Sequence, residues 1–267
     1  MNGVIYDRSQ LVVKSNQLIQ EGRFNLSVPQ QRILLYMISK IKPTDTEFTP
    51  IEFSVIDFCE LAGITEKTGY RTIKAAVKEL ADSSFWIESE GSEQLKRWIS
   101  SEQPPEIVKG SGIIRLTFSN TMRQYLLELR EKFTVYELEW VLMFRRKYSY
   151  RLYEYICSRH YDKSQPYTFR ISFEELRAVL GAETYPQFKN FNQKVLSPAV
   201  AEINATTDKL VSVEFVKHGK KITDIDITVE EQPARTRVQH HTAIQRQLGY
   251  DPNQLDFFER RIYERED

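Results

Sequence analysis

The residues of this chain best placed to do chemistry are amides and cations set at helical spacing. Over residues 186–204, Phe188, Phe191, Val195, Ala199 and Ile203 recur at three and four positions, which predicts a helix with one buried stripe. The side 180° from that stripe carries Asn190, Gln193 and Ser197, with Lys189 and Lys194 nearer its edge. Asn and Gln side chains can hydrogen-bond base edges, adenine in particular, and lysines neutralise phosphates. Between residues 186 and 221 six lysines stand against Glu202, Asp208 and Glu214, a local surplus of three positive charges. A merely solvated helix is the plainer reading of such a face; the surplus favours a face that meets a polyanion.

A second cationic row lies upstream. Lys67, Arg71, Lys74 and Lys78 are spaced by four, three and four, and so share one helix face, opposite Tyr70, Ile73, Val77 and Leu80. Lys217, His218, Lys220 and Lys221 cluster at a turn, where they can follow a DNA backbone and position the protein without reading sequence. Arg145, Arg146, Lys147 and Arg151 open another helix, and the hydroxyls of Ser149 and Tyr150 are expected to reach phosphate beside them. Cations at a helix start are unfavourable on their own, and contact with an anion would relieve that cost.

Other chemistries fit less well. A rolling-circle nickase needs two metal-binding histidines one residue apart and a nucleophilic tyrosine; only His240 and His241 come near, and they are adjacent. Gly63 to Thr68 includes Lys67-Thr68 but lacks the second glycine of a phosphate loop and follows a helix rather than a strand. No enzyme activity, metal or cofactor is expected. Cys59 and Cys157 lie far apart in apolar helical stretches, as buried thiols do. Lys plus Arg and Asp plus Glu each total 37, so net charge gives no reason to expect a nucleic-acid partner, and the case rests on where the charges sit. No leader pattern or apolar run of about 20 residues is found, which predicts a cytoplasmic protein without membrane contact.

The elements that must position these residues form a repeat. The 267 residues have room for about two domains. After an N-terminal arm (1–26) without clear period, Ser27-Val-Pro-Gln reads as a capping box starting a helix with Ile33, Leu34, Met37, Ile38 and Ile41 inward, stopped at Lys42-Pro43. An extended piece over 47–53 follows, then a helix capped by Ser54 and ended by Gly63, and a third helix to about Ala81. Segments 85–88, 95–99 and 113–118 alternate as strands. The order then recurs: a helix over 145–160, a strand over 167–172, a helix from Ser172 to Gly181, the helix from Pro186, and two strands flanking His218-Gly219-Lys220. Residues 121–146 are predicted to be a helical connector, and 231–267 a mobile tail with one short amphipathic helix near 255–262. The predicted class is mainly α with small antiparallel β wings: two tandem winged-helix domains related by pseudo-symmetry, over 27–130 and 131–230.

Three stretches also carry a family resemblance. They are Val13-Lys-Ser-Asn-Gln-Leu-Ile with Arg23-Phe-Asn-Leu-Ser and the helix from Gln31 to Ile41; Lys132-Phe-Thr-Val-Tyr-Glu-Leu with Arg146-Lys-Tyr-Ser-Tyr-Arg-Leu-Tyr-Glu; and Tyr185, Phe188-Lys-Asn-Phe, Val195-Leu-Ser-Pro-Ala, Glu202-Ile-Asn and Thr207-Asp. Together they resemble the iteron-binding plasmid replication initiators. The resemblance implies a monomer on short direct repeats of a replication origin, and a dimer, joined mainly through the first domain, that represses its own promoter at an inverted repeat. It implies that Lys189, Asn190, Gln193 and Lys194 read bases and that Arg71 and Lys74 serve the first domain. The family often carries a further charge where Asn190 and Asn192 stand, which changes the expected base preference. The host origin-binding initiator and replicative helicase are the implied protein partners. A plain winged-helix repressor is the alternative, separable by whether direct or only inverted repeats lie beside the gene.

Overall fold

Ser54 and Ser172 start the same short module twice. In the computed structural model, which describes residues 11–64, 66–89, 91–108, 110–160 and 166–247, each serine ends a strand and caps a seven-residue helix. The Ser54 hydroxyl accepts from the Asp57 N–H at 3.4 Å, and that of Ser172 from the Glu175 N–H at 3.1 Å. Each helix is closed by a glycine in the left-handed region, Gly63 at φ 61° and Gly181 at φ 63°. The same local code, written twice, yields the same short module in each unit.

The first unit takes residues 11–18 and 26–143. Its elements are β1 (Leu11–Ser15), the start of α1 (Asn16–Glu21), α2 (Val28–Ser39), β2 (Ile51–Ser54), α3 (Val55–Leu61), α4 (Glu66–Asp82), β3 (Ser84–Ser89), β4 (Ser92–Arg97), β5 (Glu106–Ile107), β6 (Ile113–Leu116), α5 (Arg123–Leu126), β7 (Phe133–Glu137) and α6 (Leu138–Leu142). At the head of α2 the Ser27 N–H donates to Gln30 Oε1 at 2.7 Å, the backward half of the capping box. Ile33 and Met37 of α2, Ile73, Val77 and Leu80 of α4, and Trp98 share a core from which water is excluded. The strands β3 and β4 form the hairpin wing, while β6 pairs with β2 and β5. Across that sheet Arg115 reaches Glu52 at 2.6 Å and Glu106 at 2.8 Å, which pins the register on an exposed face.

The second unit takes residues 19–25 and 144 onward. Its elements are α7 (Lys147–Ser158), β8 (Tyr167–Ser172), α8 (Phe173–Val179), α9 (Phe188–Phe191), a π turn (Asn192–Leu196), α10 (Ser197–Thr206), β9 (Lys209–His218), β10 (Lys221–Glu231) and α11 (Ala234–Gln247). The sheet runs β8-β10-β9, and Arg170 grips Asp226 directly opposite with two bonds of 2.7 Å. The π turn has a sequence cause. Side chains four apart drift by about 40° per step round a 3.6-residue helix, so the spacing of Phe191, Val195, Ala199 and Ile203 does not suit a straight one. One under-wound turn brings all four to the core, at 0, 1, 0 and 0% exposure. Pro198 adds to this, because it has no N–H to give to the Lys194 carbonyl.

Two expectations from the sequence are corrected. The stretch 121–146 is not one helical connector: it holds a 3-10 turn, two short helices and β7, which pairs antiparallel with β1 from Leu11↔Glu137 to Ser15↔Phe133. The alternation of Phe133, Val135 and Glu137 against Thr134 and Tyr136 needed a partner strand about 120 residues away. The stretch after Glu231 is not tail throughout, since α11 packs on α10 with His241 and Ile244 buried at 1 and 4% exposure. Gln232 anchors its approach by donating to the carbonyls of Asn204 and Lys209. The amphipathic helix expected near 255–262 lies outside the described residues.

Candidate nucleic-acid interface

The helix of residues 188–206 presents the face expected of it. Lys189, Asn190, Gln193, Lys194 and Ser197 are all exposed, opposite the sealed stripe. The face is held by aromatic packing at the helix start, where Phe188 meets Phe173 and Phe215 with ring centroids 5.4 and 5.0 Å apart. The hairpin tip stands beside it: a cleft of about 650 Å³ is lined by Gln187 and Phe188 on one side and Lys220, Lys221 and Thr223 on the other. Lys217, His218, Lys220 and Lys221 are exposed. A rod with amide and ammonium donors next to a cationic hairpin can place one element in a groove and the other along its phosphates.

Of the six lysines that make the local surplus, Lys209 is not available to a ligand. Its ammonium lies 3.0 Å from Asp208 and 3.9 Å from Glu231. Burial opposes its charge, yet these carboxylates more than offset that and hold its pKa above the ordinary lysine value. Glu202 is likewise engaged inside the unit: it accepts from the Arg145 N–H at 2.8 Å, the Arg146 N–H at 3.2 Å and the Ser149 hydroxyl. A carboxylate at the N-terminus of α7 is where the helix dipole favours an anion. The cost that seemed to call for phosphate is met by the protein itself.

This bears on the residues assigned to α7. Arg145 and Arg146 are exposed, and Lys147 is half-buried with its ammonium 2.9 Å from Asn25 Oδ1. Ser149, Tyr150 and Arg151, expected to reach phosphate, are buried at 0, 0 and 2% exposure. The Tyr150 hydroxyl donates to the Phe144 carbonyl at 3.1 Å. The Arg151 guanidinium donates to the carbonyls of Val179, Ile19 and Gly22 at 3.0–3.2 Å, stacks over Phe24 at 3.9 Å, and lies 3.7 Å from Glu154. These three side chains hold the unit together and have no route to a groove.

In the first unit Arg71 and Lys78 of α4 are exposed, Lys74 is half-buried, and the side chain of Lys67 lies outside the described residues. Tyr70 is corrected: it stands 43% exposed, one residue off a buried stripe that runs through Gly69, Ile73, Ala76, Val77 and Leu80, with the Lys74 ammonium 5.9 Å above its ring. Gly69 lets α4 approach α3, since a Cβ there would sit 2.5 Å from Cys59 Sγ. Asn192, named in the sequence only for the charge that the family often carries there and not as a contact, is half-buried on the flank of the second unit's face, and its Oδ1 accepts from the Ser197 hydroxyl at 2.8 Å. The signal for it was Pro198 beside a strict four-residue apolar repeat.

His240 Nδ1 lies 2.8 Å from the Thr207 carbonyl and His241 is buried. Among the described residues no group of three or more His, Cys, Asp or Glu could hold a metal ion, and no helix is long and apolar enough to cross a membrane. Cys59, buried, and Cys157, half-buried, are not joined in a disulfide.

Known proteins carry this arrangement. The family model described as Initiator Replication protein, WH1 matches residues 11–157, and that described as Initiator Rep protein, WH2 matches residues 172–229. The chain is 27% identical over 230 residues to a Replication initiation protein of Escherichia coli, covering 83% of this chain and 70% of the relative. It is also 27% identical over 237 residues to the PI protein of Escherichia coli, covering 75 and 76%. A crystal structure of Pi initiator protein in complex with iteron DNA superposes with a TM-score of 0.71 at 23% identity, over 85% of this chain and 99% of that one, a likeness of fold.

Proposed function

This chain belongs to the initiator replication protein family, with both winged-helix domains present, and from that premise we propose that it initiates plasmid replication by binding short direct repeats at an origin as a monomer. The second domain reads bases with Lys189, Asn190, Gln193 and Lys194, while Lys217, His218, Lys220 and Lys221 hold phosphates beside the groove. Arg145 and Arg146 add backbone contacts. Lys67, Arg71, Lys74 and Lys78 give the first domain a phosphate-contacting face, and the same domain joins two copies into a dimer that represses the promoter at an inverted repeat. The host origin-binding initiator and the replicative helicase act on the resulting complex.

The observation that carries this reading is the helix of residues 188–206, whose four proposed base-reading side chains are all exposed beside the exposed lysines of the hairpin tip. The similarity to a protein whose structure was solved with iteron DNA supports it.

A footprint of the full-length protein on the DNA upstream of its gene tests the proposal. Protection of tandem direct repeats, each about two helical turns long, is expected at low protein concentration. Protection of an inverted repeat alone would make the chain a repressor, and the absence of any discrete footprint would remove sequence-specific binding.

A further inference from the structure

Asn192 and Ser197 meet only because the helix is under-wound between them. In a regular α-helix residues five apart point about 140° away from each other. Here the Ser197 N–H donates to the Asn192 backbone carbonyl, the i→i+5 bond of a π turn, and the Ser197 hydroxyl donates to Asn192 Oδ1 at 2.8 Å. The two residues are thus tied through both backbone and side chain.

We propose that Asn192 is a further specificity-determining residue, presented to DNA mainly as a hydrogen-bond donor because Ser197 engages and orients its amide oxygen across the π turn. The inference rests on the reading of residues 188–206 as the base-reading element. A free Asn amide offers one acceptor and two donors, and so matches adenine, which shows N7 as acceptor and N6 as donor in the major groove. Ser197 takes one of the two lone pairs of Asn192 Oδ1 and fixes the direction of the amide, while Nδ2 keeps two N–H groups for an outside partner. An amide biased toward donation in this way suits guanine, with O6 and N7, and thymine, with O4, and is a poorer match for adenine or cytosine, whose amino group would have to share the oxygen that Ser197 already engages.

The position fits such a contact. Asn192 is half-buried on the flank of the exposed face, next to Gln193 and Lys194, which are exposed. The tie to Ser197 fixes its amide before DNA arrives, which lowers the ordering cost of a contact made from the flank. Ser197, first read as a contact in its own right, becomes a positioning residue.

The test is selection of a randomised double-stranded DNA library by the full-length protein, with the bound fraction sequenced. Wild type is expected to select a motif containing a base pair that favours G or T on the contacted strand. Ser197→Ala frees Oδ1, and that one base pair should move toward A by about tenfold in relative enrichment, within the range for one such contact. The other positions should stay unchanged. Ser197→Thr keeps a hydroxyl and should keep the wild-type motif, and Asn192→Asp, an acceptor only, should move the same base pair toward C. A Ser197→Ala motif identical to wild type, or a weakening spread evenly over all positions, would overturn the proposal while leaving the base-reading role of the helix intact. No selected motif from wild type would overturn both.

Discussion

Gly69→Ala sets two effects of known sign against each other. Placing Ala in a helix interior ordinarily gains about 1 kcal/mol over Gly. Here the added Cβ would stand 2.5 Å from Cys59 Sγ, where non-bonded atoms prefer about 3.5–4 Å. Cys59 is only 2% exposed, so its sulfur has little room to withdraw, and overpacking of this kind costs about 1–3 kcal/mol. The net expectation for Gly69→Ala is a loss of about 0–2 kcal/mol. In a Cys59→Ala background the nearest remaining atoms, Cys59 Cβ and Ile64 Cγ2, lie 3.6 Å from the new methyl, an ordinary contact. There the same substitution should stabilise by about 1 kcal/mol. The coupling between the two sites is therefore about 1–3 kcal/mol. Urea unfolding followed by tryptophan fluorescence reads it cleanly, because Trp86, Trp98 and Trp140 all lie in the first unit. Additive effects in the four-protein cycle, or a Gly69→Ala protein more stable than wild type with Cys59 in place, would refute the close approach of α4 to α3.

Three further outcomes are expected. Lys189→Ala and Lys194→Ala should each lower the log-log salt slope of DNA binding by about one unit, whereas Asn190→Ala or Gln193→Ala should relax preference at one base pair by about 1–3 kcal/mol; titrations on matched and substituted DNA separate the two. Arg151→Met should cost about 3–5 kcal/mol of stability, measured by circular dichroism in urea, because it removes a buried guanidinium that donates to three carbonyls and lies 3.7 Å from the buried Glu154. Its salt slope should match wild type, and a reduced slope at normal stability would return Arg151 to the DNA face. Asp226 is held below the usual carboxylate range by its hydrogen bonds to Arg170. A depressed folded pKa stabilises above the ordinary carboxylate pKa and is lost as pH falls through the folded value. Below about pH 4 wild type should therefore lose stability more steeply than Asp226→Asn; parallel acid titrations by circular dichroism would contradict this.

The fold was legible where one local signal sufficed. Ser54 and Ser172 as caps, Gly63 and Gly181 as stops, and the turn at Gly219 are each decided by a few adjacent residues. The pairing of β1 with β7 was not, because short alternating segments carry no mark of a partner far away in sequence. The helix α11 was hidden by composition: Arg235, Arg237 and Arg246 make the stretch read as solvated, while among its described side chains the buried ones are His241 and Ile244. The outward face of residues 188–206 could be read from periodicity, yet the π turn within it could be read only by taking the four-residue spacing literally.

The misreading of α7 shows what charge alone does not reveal. Arg146-Lys-Tyr-Ser-Tyr-Arg-Leu-Tyr-Glu looks like a cationic, hydroxyl-rich surface, and five of its members, Arg146, Lys147, Ser149, Tyr150 and Arg151, are expected from the sequence to contact DNA. In the structure every residue from Ser149 to Ile156 is buried. Tyr150, Leu152, Tyr153, Tyr155 and Ile156 leave a sector of about 140° on the helix wheel that carries Arg151, Glu154 and Ser158, yet these three are buried as well, so their polar groups must find partners inside. Ser149 finds Glu202, Arg151 finds three carbonyls, and Tyr153 finds Asp208 at 2.8 Å. A motif shared with relatives can thus record the wiring of a domain as readily as its contact with DNA. Residues 188–206 differ in their burial: Lys189, Asn190, Gln193 and Lys194 are exposed, while the apolar stripe of Phe191, Val195, Ala199 and Ile203 is sealed.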